Sequence, residues 1–179
     1  MIRNLCQLLP HALQRSLFFL IVTVCISACD SGKTKPNFSD KTPPSIKWIV
    51  TNAAGQQDTI TGNGTTAFTN GEGFHVMALV KDEGGIVEVT TSSAYNWDCL
   101  GDILESPVSG PEEHTTTLSL DSEGKALNLF PIGFDLTTLL VCPPDLTFQQ
   151  GTITLKCSAL NFGNLKTEVT LSVHVNRKF

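Results

Sequence analysis

A strict alternation of side chains near the carboxyl end is the feature that most constrains the fold of this chain. Over residues 165–176, six mostly apolar side chains occupy every second position: Leu165, Thr167, Val169, Leu171, Val173 and Val175. A period of two is typical of a β-strand with one face in the core and the other in solvent. Residues 152–159 repeat the pattern, and residues 161–164, Asn-Phe-Gly-Asn, are the types that a tight turn with positive φ needs. The two segments therefore predict an antiparallel hairpin.

Further strand signals are spread over the chain from residue 46 onward. Residues 74–81 are apolar at both phases, which predicts a central strand that is buried on both sides or covered by a loop. Residues 82–85, Asp-Glu-Gly-Gly, then predict a turn into a strand over 86–91. Weaker strand candidates cover residues 46–51, 115–120, 126–130 and 136–141. No segment has apolar residues at helical spacing over three turns, so the sequence predicts an all-β sandwich of two antiparallel sheets with about seven strands.

Two segments resemble bacterial immunoglobulin-like domains. Phe74 to Val89, with Ala-Leu-Val-Lys-Asp-Glu-Gly-Gly-Ile-Val-Glu-Val at its centre, resembles their second and third strands, and Gly151 to Val175 resembles their final hairpin. In this resemblance Ala78 and Cys157 occupy the two positions that the disulfide of antibody domains would link. The missing cysteine is a departure from the antibody pattern. The resemblance implies an immunoglobulin-like sandwich and carries no active site with it.

The amino terminus has the layout of an export signal. Arg3 and Arg15 precede a mostly apolar run from Leu17 to Ile26, and no acidic residue comes before that run. A membrane-spanning helix needs about 20 mostly apolar residues, and this run is about half that long. The sequence therefore predicts a helical signal peptide over residues 1–28 that directs export and is then cleaved.

The four residues at the end of this run, Ile26-Ser27-Ala28-Cys29, resemble the bacterial lipobox. The resemblance implies that Cys29 is diacylated, becomes the first residue of the mature chain and binds membrane lipid through its acyl chains. An ordinary signal peptide with a coincidental cysteine and an uncleaved anchor stay open as alternatives. Asp30 is similar to the sorting residue that keeps enterobacterial lipoproteins at the inner membrane. This likeness implies a lipid-anchored protein of the bacterial cell envelope, with the periplasmic face of the inner membrane favoured over the outer membrane.

Charge is distributed unevenly along the mature chain. Without Arg3 and Arg15 it has ten basic and seventeen acidic residues, a net charge of −7. Four basic residues lie close to the anchor: Lys33, Lys35, Lys41 and Lys47. The acidic remainder is repelled from nucleic acid, so no nucleic-acid partner is expected. Residues 30–45 are polar and contain prolines, which predicts a flexible tether over 29–45 and a single domain over 46–179.

Three cysteines follow Cys29, an odd number for an exported chain: Cys99, Cys142 and Cys157. Export to an oxidising compartment favours a disulfide. Cys157 falls on the inward face of its predicted strand, where a free thiol behaves as a small apolar side chain. Cys99 and Cys142 follow strand ends, where loops can bring them together. The pair Cys99–Cys142 is therefore favoured, and the other two pairings stay open.

The longest stretch without strand signals runs over residues 92–114 and contains Tyr95 and Trp97. Loops of that length in a compact domain are functional or disordered, and Tyr and Trp are frequent anchors of protein contacts. Tyr95 and Trp97 are therefore predicted to lie in an interaction loop, with the alternative that Trp97 fills one end of the sandwich. A second alternative is a calcium site formed by acidic residues of loops that meet at one end: Asp82, Glu83, Asp98 and Asp102.

The sequence contains no nucleophile elbow, no glycine-rich phosphate loop, no HExxH and no Cys-x-x-Cys. His174 is expected on the solvent face of its strand, and His75 is expected to be packed. No cofactor, no metal and no enzyme activity are therefore expected. The leading hypothesis is a membrane-anchored envelope module whose domain binds a protein or a glycan. The alternatives are a structural component of an envelope complex that makes strand-edge contacts through its terminal strands, and, in third place, a small hydrolase.

Overall fold

The computed structural model divides the chain into two compact units, Met1–Gly32 and Lys33–Phe179. The structure describes these residues: 32–99, 102–105, 112–134, 136, 142 and 147–178. The predicted signal peptide, Cys29 and Asp30 lie outside the described residues, and so does nearly all of the strand predicted over 136–141. Within the described part of the chain, no helix is long and apolar enough to cross a membrane.

The described residues of the second unit form strands joined by turns and loops, which confirms the prediction of an all-β chain. In chain order the strands are β1 (Lys33–Thr34), β2 (Ser45–Thr51), β3 (Gln57–Thr61), β4 (Gly64–Thr69), β5 (His75–Lys81), β6 (Ile86–Cys99), β7 (Asp102–Glu105), β8 (Glu112–Thr117), β9 (Ala126–Leu127), β10 (Leu129–Phe134), β11 (Phe148–Asn161) and β12 (Lys166–Asn176).

Two larger sheets and one small strand pair organise these strands. The first sheet has the order β10-β5-β2-β3, and the second has the order β4-β12-β11-β6-β7, with β8 also paired to β6. Neighbouring strands are antiparallel except β4, which runs parallel to β12. Buried side chains from both sheets form one hydrophobic core, so the fold is sandwich-like. Trp48 of β2 lies in that core with no exposed surface and contacts Phe134 at 5.6 Å between ring centroids.

The hairpin predicted at the carboxyl end is confirmed. β11 and β12 are antiparallel neighbours, and Leu155 and Leu171, which face each other across them, are fully buried. Asn164 in the connecting turn has φ 61°, in the left-handed region that asparagine tolerates. The period-two pattern thus predicted both the strands and their buried face.

Strand β6 extends further than the sequence predicted. The stretch 92–114 was expected to be irregular, whereas β6 continues to Cys99 and two more strands, β7 and β8, follow it. The polar run over residues 91–93 gives no apolar alternation, but β11 pairs with it on one side and β8 on the other. Backbone hydrogen bonds to two neighbours therefore hold a strand that the side chains do not indicate.

The terminal strands of the sandwich are interior strands, so the prediction that they offer open edges is wrong. β12 lies between β11 and β4, and β2 lies between β5 and β3. β3 and β4 were not predicted as strands. The side chains of β3 are mostly exposed, so its sequence lacks the alternation of apolar and polar residues that marks a half-buried strand.

The segment that precedes β2 is docked on the sandwich. We call residues 33–44 the docked segment; it begins with β1, which pairs with β9. Further along, the N–H of Asn37 donates to the carbonyl oxygen of Gly84 at 2.9 Å, and Nδ2 of Asn161 donates to the carbonyl oxygen of Thr42 at 2.8 Å. The flexible tether predicted over 29–45 is therefore wrong from residue 33 onward. Its polar, proline-containing composition does not show that distant turns bind its backbone.

Candidate functional site

The outward surface of the six-stranded sheet is the candidate functional site. Apolar residues at alternate positions of β11 and β12 point into the core, so the residues between them form one surface with their neighbours on β6, which is open except at the buried Ser158. We call this surface the polar face; its rows across β6, β11 and β12 are Thr90–Ser158–Glu168, Ser92–Lys156–Thr170, Ala94–Thr154–Ser172 and Asn96–Thr152–His174.

Two open depressions lie on the polar face. The first has a volume of about 530 Å³, and its lining residues on β6, β8, β11 and β12 are Thr90, Ser92, Ala94, Glu113, Thr154, Lys156, Ser158, Lys166 and Glu168. The second has a volume of about 380 Å³ and lies around the row that begins at Asn96. Because residues 90 and 96 are six positions apart on one strand, the two depressions extend over about 20 Å.

Uncharged hydrogen-bonding groups dominate the centre of the polar face. Serine and threonine hydroxyls and the asparagine amide both donate and accept hydrogen bonds. The hydroxyls of Thr90 and Thr115 lie 3.0 Å apart and extend this surface onto β8. Opposite charges are balanced nearby, with Nζ of Lys166 3.7 Å from Oε2 of Glu168. Such a surface is suited to a polar, weakly charged ligand that it binds through many hydrogen bonds.

Tyr95 and Trp97, predicted to lie in an interaction loop, lie in strand β6 instead. Both are partly buried and pack against the hydrophobic core. The indole Nε1 of Trp97 is buried and has no hydrogen-bond partner among the described residues. The prediction of a loop is wrong, and the alternative that Trp97 fills part of the sandwich is closer to the structure. Ala94 and Asn96, the residues on either side of Tyr95, lie on the polar face instead.

The cysteine predictions agree with the structure. The disulfide Cys99–Cys142 is present, with Cα atoms 5.8 Å apart. Cys157 is free and fully buried on the inward face of β11. Burial raises the pKa of the Cys157 thiol to about 12. The thiol therefore stays protonated at neutral pH and is a poor nucleophile.

The histidines of the sandwich lie on three separate strands. His174 on β12 is exposed, as predicted, and His114 on β8 is exposed as well. His75 was expected to be packed, but it is exposed, whereas Phe74 and Val76 on either side of it are buried. The prediction for His75 is therefore wrong, because His75 lies on the outward side of β5.

Asp82, considered above as a calcium ligand, forms a buried hydrogen-bonded pair with Asn161. Asp82 is 4 % exposed; its Oδ1 accepts from the N–H of Gly84 at 2.9 Å and its Oδ2 accepts from Nδ2 of Asn161 at 3.2 Å. Burial raises the pKa of Asp82, and the two hydrogen bonds partly oppose that rise. Among the residues that the structure describes, no three His, Cys, Asp or Glu side chains are grouped as metal ligands would be.

The fold and this surface together define a class, a sandwich-like all-β domain with a polar sheet face. No model of a known protein family matches the chain. No curated protein matches it either. Its function is therefore inferred from its own residues and their geometry.

Proposed function

We propose that this protein is a bacterial envelope lipoprotein, anchored by an acylated Cys29, whose immunoglobulin-like domain binds a glycan or a protein through the polar face and catalyses no reaction. The observation that carries the binding role is the register of β6, β11 and β12. This register brings hydroxyl and amide side chains into rows on one open surface about 20 Å long. A surface of that length matches several sugar units or an extended polar segment of a protein.

A glycan is the ligand class that the chemistry of the polar face fits best. Sugars present closely spaced hydroxyls that both donate and accept, and the central Thr152, Thr154 and Ser172 do the same. The net charge of −7 disfavours polyanionic ligands such as nucleic acid. Neutral or weakly charged envelope polysaccharides are therefore the proposed ligands.

The strand order supports an immunoglobulin-like domain. β2, β5 and β10 are neighbours in one sheet, and β6, β11 and β12 are neighbours in the other. This corresponds to strands A, B and E opposite strands C, F and G of immunoglobulin domains. Ala78 of β5 and Cys157 of β11, the two positions that an antibody disulfide would link, are both fully buried.

The anchor is supported by the sequence at the start of the chain. The apolar run from Leu17 to Ile26 ends in the lipobox-like quartet, and the compact β unit begins at Lys33, four residues after Cys29. Asp30 places the protein at the periplasmic face of the inner membrane in this proposal. Intact-mass analysis of the native protein tests the anchor, because an unmodified amino terminus or a retained signal peptide would contradict it.

A non-catalytic role is supported by the state of the free cysteine. The Cys157 thiol is fully buried and its pKa is raised to about 12, so it does not supply a nucleophile at neutral pH. We propose that the protein needs no cofactor or metal for binding.

Binding by the polar face is tested with the full-length lipoprotein in detergent micelles on an array of neutral and amino-sugar oligosaccharides. Thr154→Lys places a long charged side chain at the centre of the face and should weaken binding at least about tenfold, or about 1.4 kcal/mol. Thr59→Lys on the exposed strand β3 is the matched control and should bind as the unmodified protein does. Equal binding by both variants would exclude the polar face. Crosslinking in intact cells to one stoichiometric protein would favour the structural role instead.

A further inference from the structure

We propose that the end of the sandwich that carries the docked segment lies directly on an anionic lipid surface, with Phe38 in the headgroup region and Lys35 and Lys41 against lipid phosphates. This inference rests on the proposed acylation of Cys29. It goes further, because it gives the domain a second lipid contact and a fixed orientation on the membrane.

Phe38 lies at the tip of an ordered turn. The N–H of Asp40 donates to the carbonyl oxygen of Asn37 at 3.2 Å, and the N–H of Ser39 donates to Oδ1 of Asn37 at 3.0 Å. The Phe38 ring contacts the Phe162 ring edge-on at 5.4 Å, and yet 73 % of its surface is exposed. An apolar ring next to lysines is the combination that interfacial membrane segments bury at the headgroup boundary.

Two glycines hold this turn against the sandwich. A Cβ at Gly163 would overlap the backbone oxygen of Asp40, and a Cβ at Gly84 would overlap the Asp40 carboxylate. At Gly163 the obstacle is backbone, so only glycine leaves the space that Asp40 occupies, whereas at Gly84 the Asp40 carboxylate would have to turn. The two glycines belong to the turns that follow β5 and β11, so the docked segment crosses one end of the sandwich.

The short link to the anchor brings that end to the membrane. Lys33 already pairs with Leu127 of β9, and Ala126 of the same strand lies against Gly85 at the same end. Four residue steps separate Cys29 from Lys33, and they reach at most about 14 Å. Strand β2 is about 23 Å long by its seven residues. The turn over residues 52–56, at the far end of β2, therefore points away from the bilayer.

The charge distribution fits an anionic lipid surface. Residues 33–47 contain four lysines and one acidic residue, whereas residues 48–179 contain six basic and fifteen acidic residues. Lys33 forms an ion pair with Asp121 at 3.0 Å, so Lys35 and Lys41 are the lysines of the docked segment that face lipid phosphates in this proposal. Lys35 and Lys41 are exposed on either side of Phe38. Lysines next to an anchor are attracted to anionic headgroups, and the acidic remainder of the domain is repelled from them. The combination orients the docked segment toward the lipid.

The test uses full-length lipoprotein with one added cysteine, reconstituted into vesicles of phosphatidylethanolamine and phosphatidylglycerol. Ser39→Cys reports on the turn, and Ala54→Cys, exposed at the far end of β2, is the matched control. An environment-sensitive fluorophore will label only the added thiol, because Cys29 is modified in this proposal, Cys157 is buried and Cys99 is bonded to Cys142. We expect a blue shift of the label at position 39, quenching by brominated lipids, and neither effect at position 54.

Each outcome separates the two proposals. If the protein floats with the vesicles but both labels report water, the lipid contact is overturned and the anchor stands. If the protein does not float, the anchor fails and the lipid contact falls with it. Phe38→Ser, or Lys35→Glu with Lys41→Glu, should lower the quenching at position 39 to the level at position 54. Unchanged quenching in these variants, or in vesicles of phosphatidylcholine alone, would overturn the assignment to Phe38, the lysines and anionic lipid.

Discussion

Replacement of Asn161 by alanine tests the role of the buried Asp82–Asn161 pair. Asn161 is 1 % exposed, and its side chain makes three hydrogen bonds, to the carbonyl oxygen of Thr42, to Oδ2 of Asp82 and from the N–H of Leu165. A hydrogen bond between neutral groups contributes about 1 kcal/mol net, and one to a charged group about 1.5–3 kcal/mol. Because water can reach Thr42 and Leu165 near the surface, we expect a loss of about 3 kcal/mol.

The loss should depend on pH in a defined direction. The pKa of Asp82 in the folded protein is raised above 3.8 by burial, and Asn161 opposes that rise. A raised acid pKa favours folding at low pH, and that contribution is lost as pH rises through the folded pKa. Removal of Asn161 raises the pKa further. The destabilisation by Asn161→Ala should therefore be smaller at about pH 4 than at pH 7.

Urea unfolding of the detergent-solubilised protein at both pH values measures this prediction. A loss of about 3 kcal/mol corresponds to a decrease in melting temperature of about 10 °C for a unit of this size. Asn96→Ala on the exposed polar face is the control and should change stability by less than about 0.5 kcal/mol. A loss below about 1 kcal/mol for Asn161→Ala, or equal losses at both pH values, would refute the reasoning.

Three further changes test other contacts. Gly163→Ala should destabilise the protein by about 1–3 kcal/mol, because the added Cβ meets the backbone of the docked segment. Gly133→Ala is the control and should not, because the space around Gly133 is open. Equal urea midpoints for the two variants would contradict this. Cys157 should resist thiol reagents at pH 8 until urea unfolds the protein, and rapid labelling without urea would show that its burial is incomplete. Double replacement of Cys99 and Cys142 by alanine should cost about 4 kcal/mol for a separation of 43 residues, and an unchanged unfolding midpoint would argue against the disulfide.

Local patterns predicted the parts of the fold that depend on neighbours in sequence. The alternation over residues 165–176 identified β12 and its buried face, because a strand reverses side-chain direction at each residue. The inward position of Cys157 followed from the same parity. The pattern failed for β3, whose side chains are mostly exposed, and for the middle of β6, where polar residues occupy both phases.

The polar residues of β11 and β12 that form part of the polar face alternate in the sequence with the apolar residues that face the core. Thr152, Thr154 and Ser172 were visible as polar residues between apolar ones. Their assembly into rows depends on the register of β6 against β11, which joins residues more than fifty positions apart. Tyr95 and Trp97 were predicted to lie in an interaction loop because aromatic residues are frequent in interfaces. In the structure they occupy the positions of β6 that face the core.

The sequence by itself determined the all-β class and the final hairpin, because each depends on residue types at short, fixed spacing. Tertiary structure alone decided that residues 33–44 pack on the sandwich. In that contact Gly163 leaves room for the backbone of Asp40, Gly84 leaves room for its carboxylate, and Asn161 binds both Asp82 and Thr42. Hydrogen bonds and steric fit between residues 44 to 123 positions apart act only after the chain has folded, and no local pattern records them.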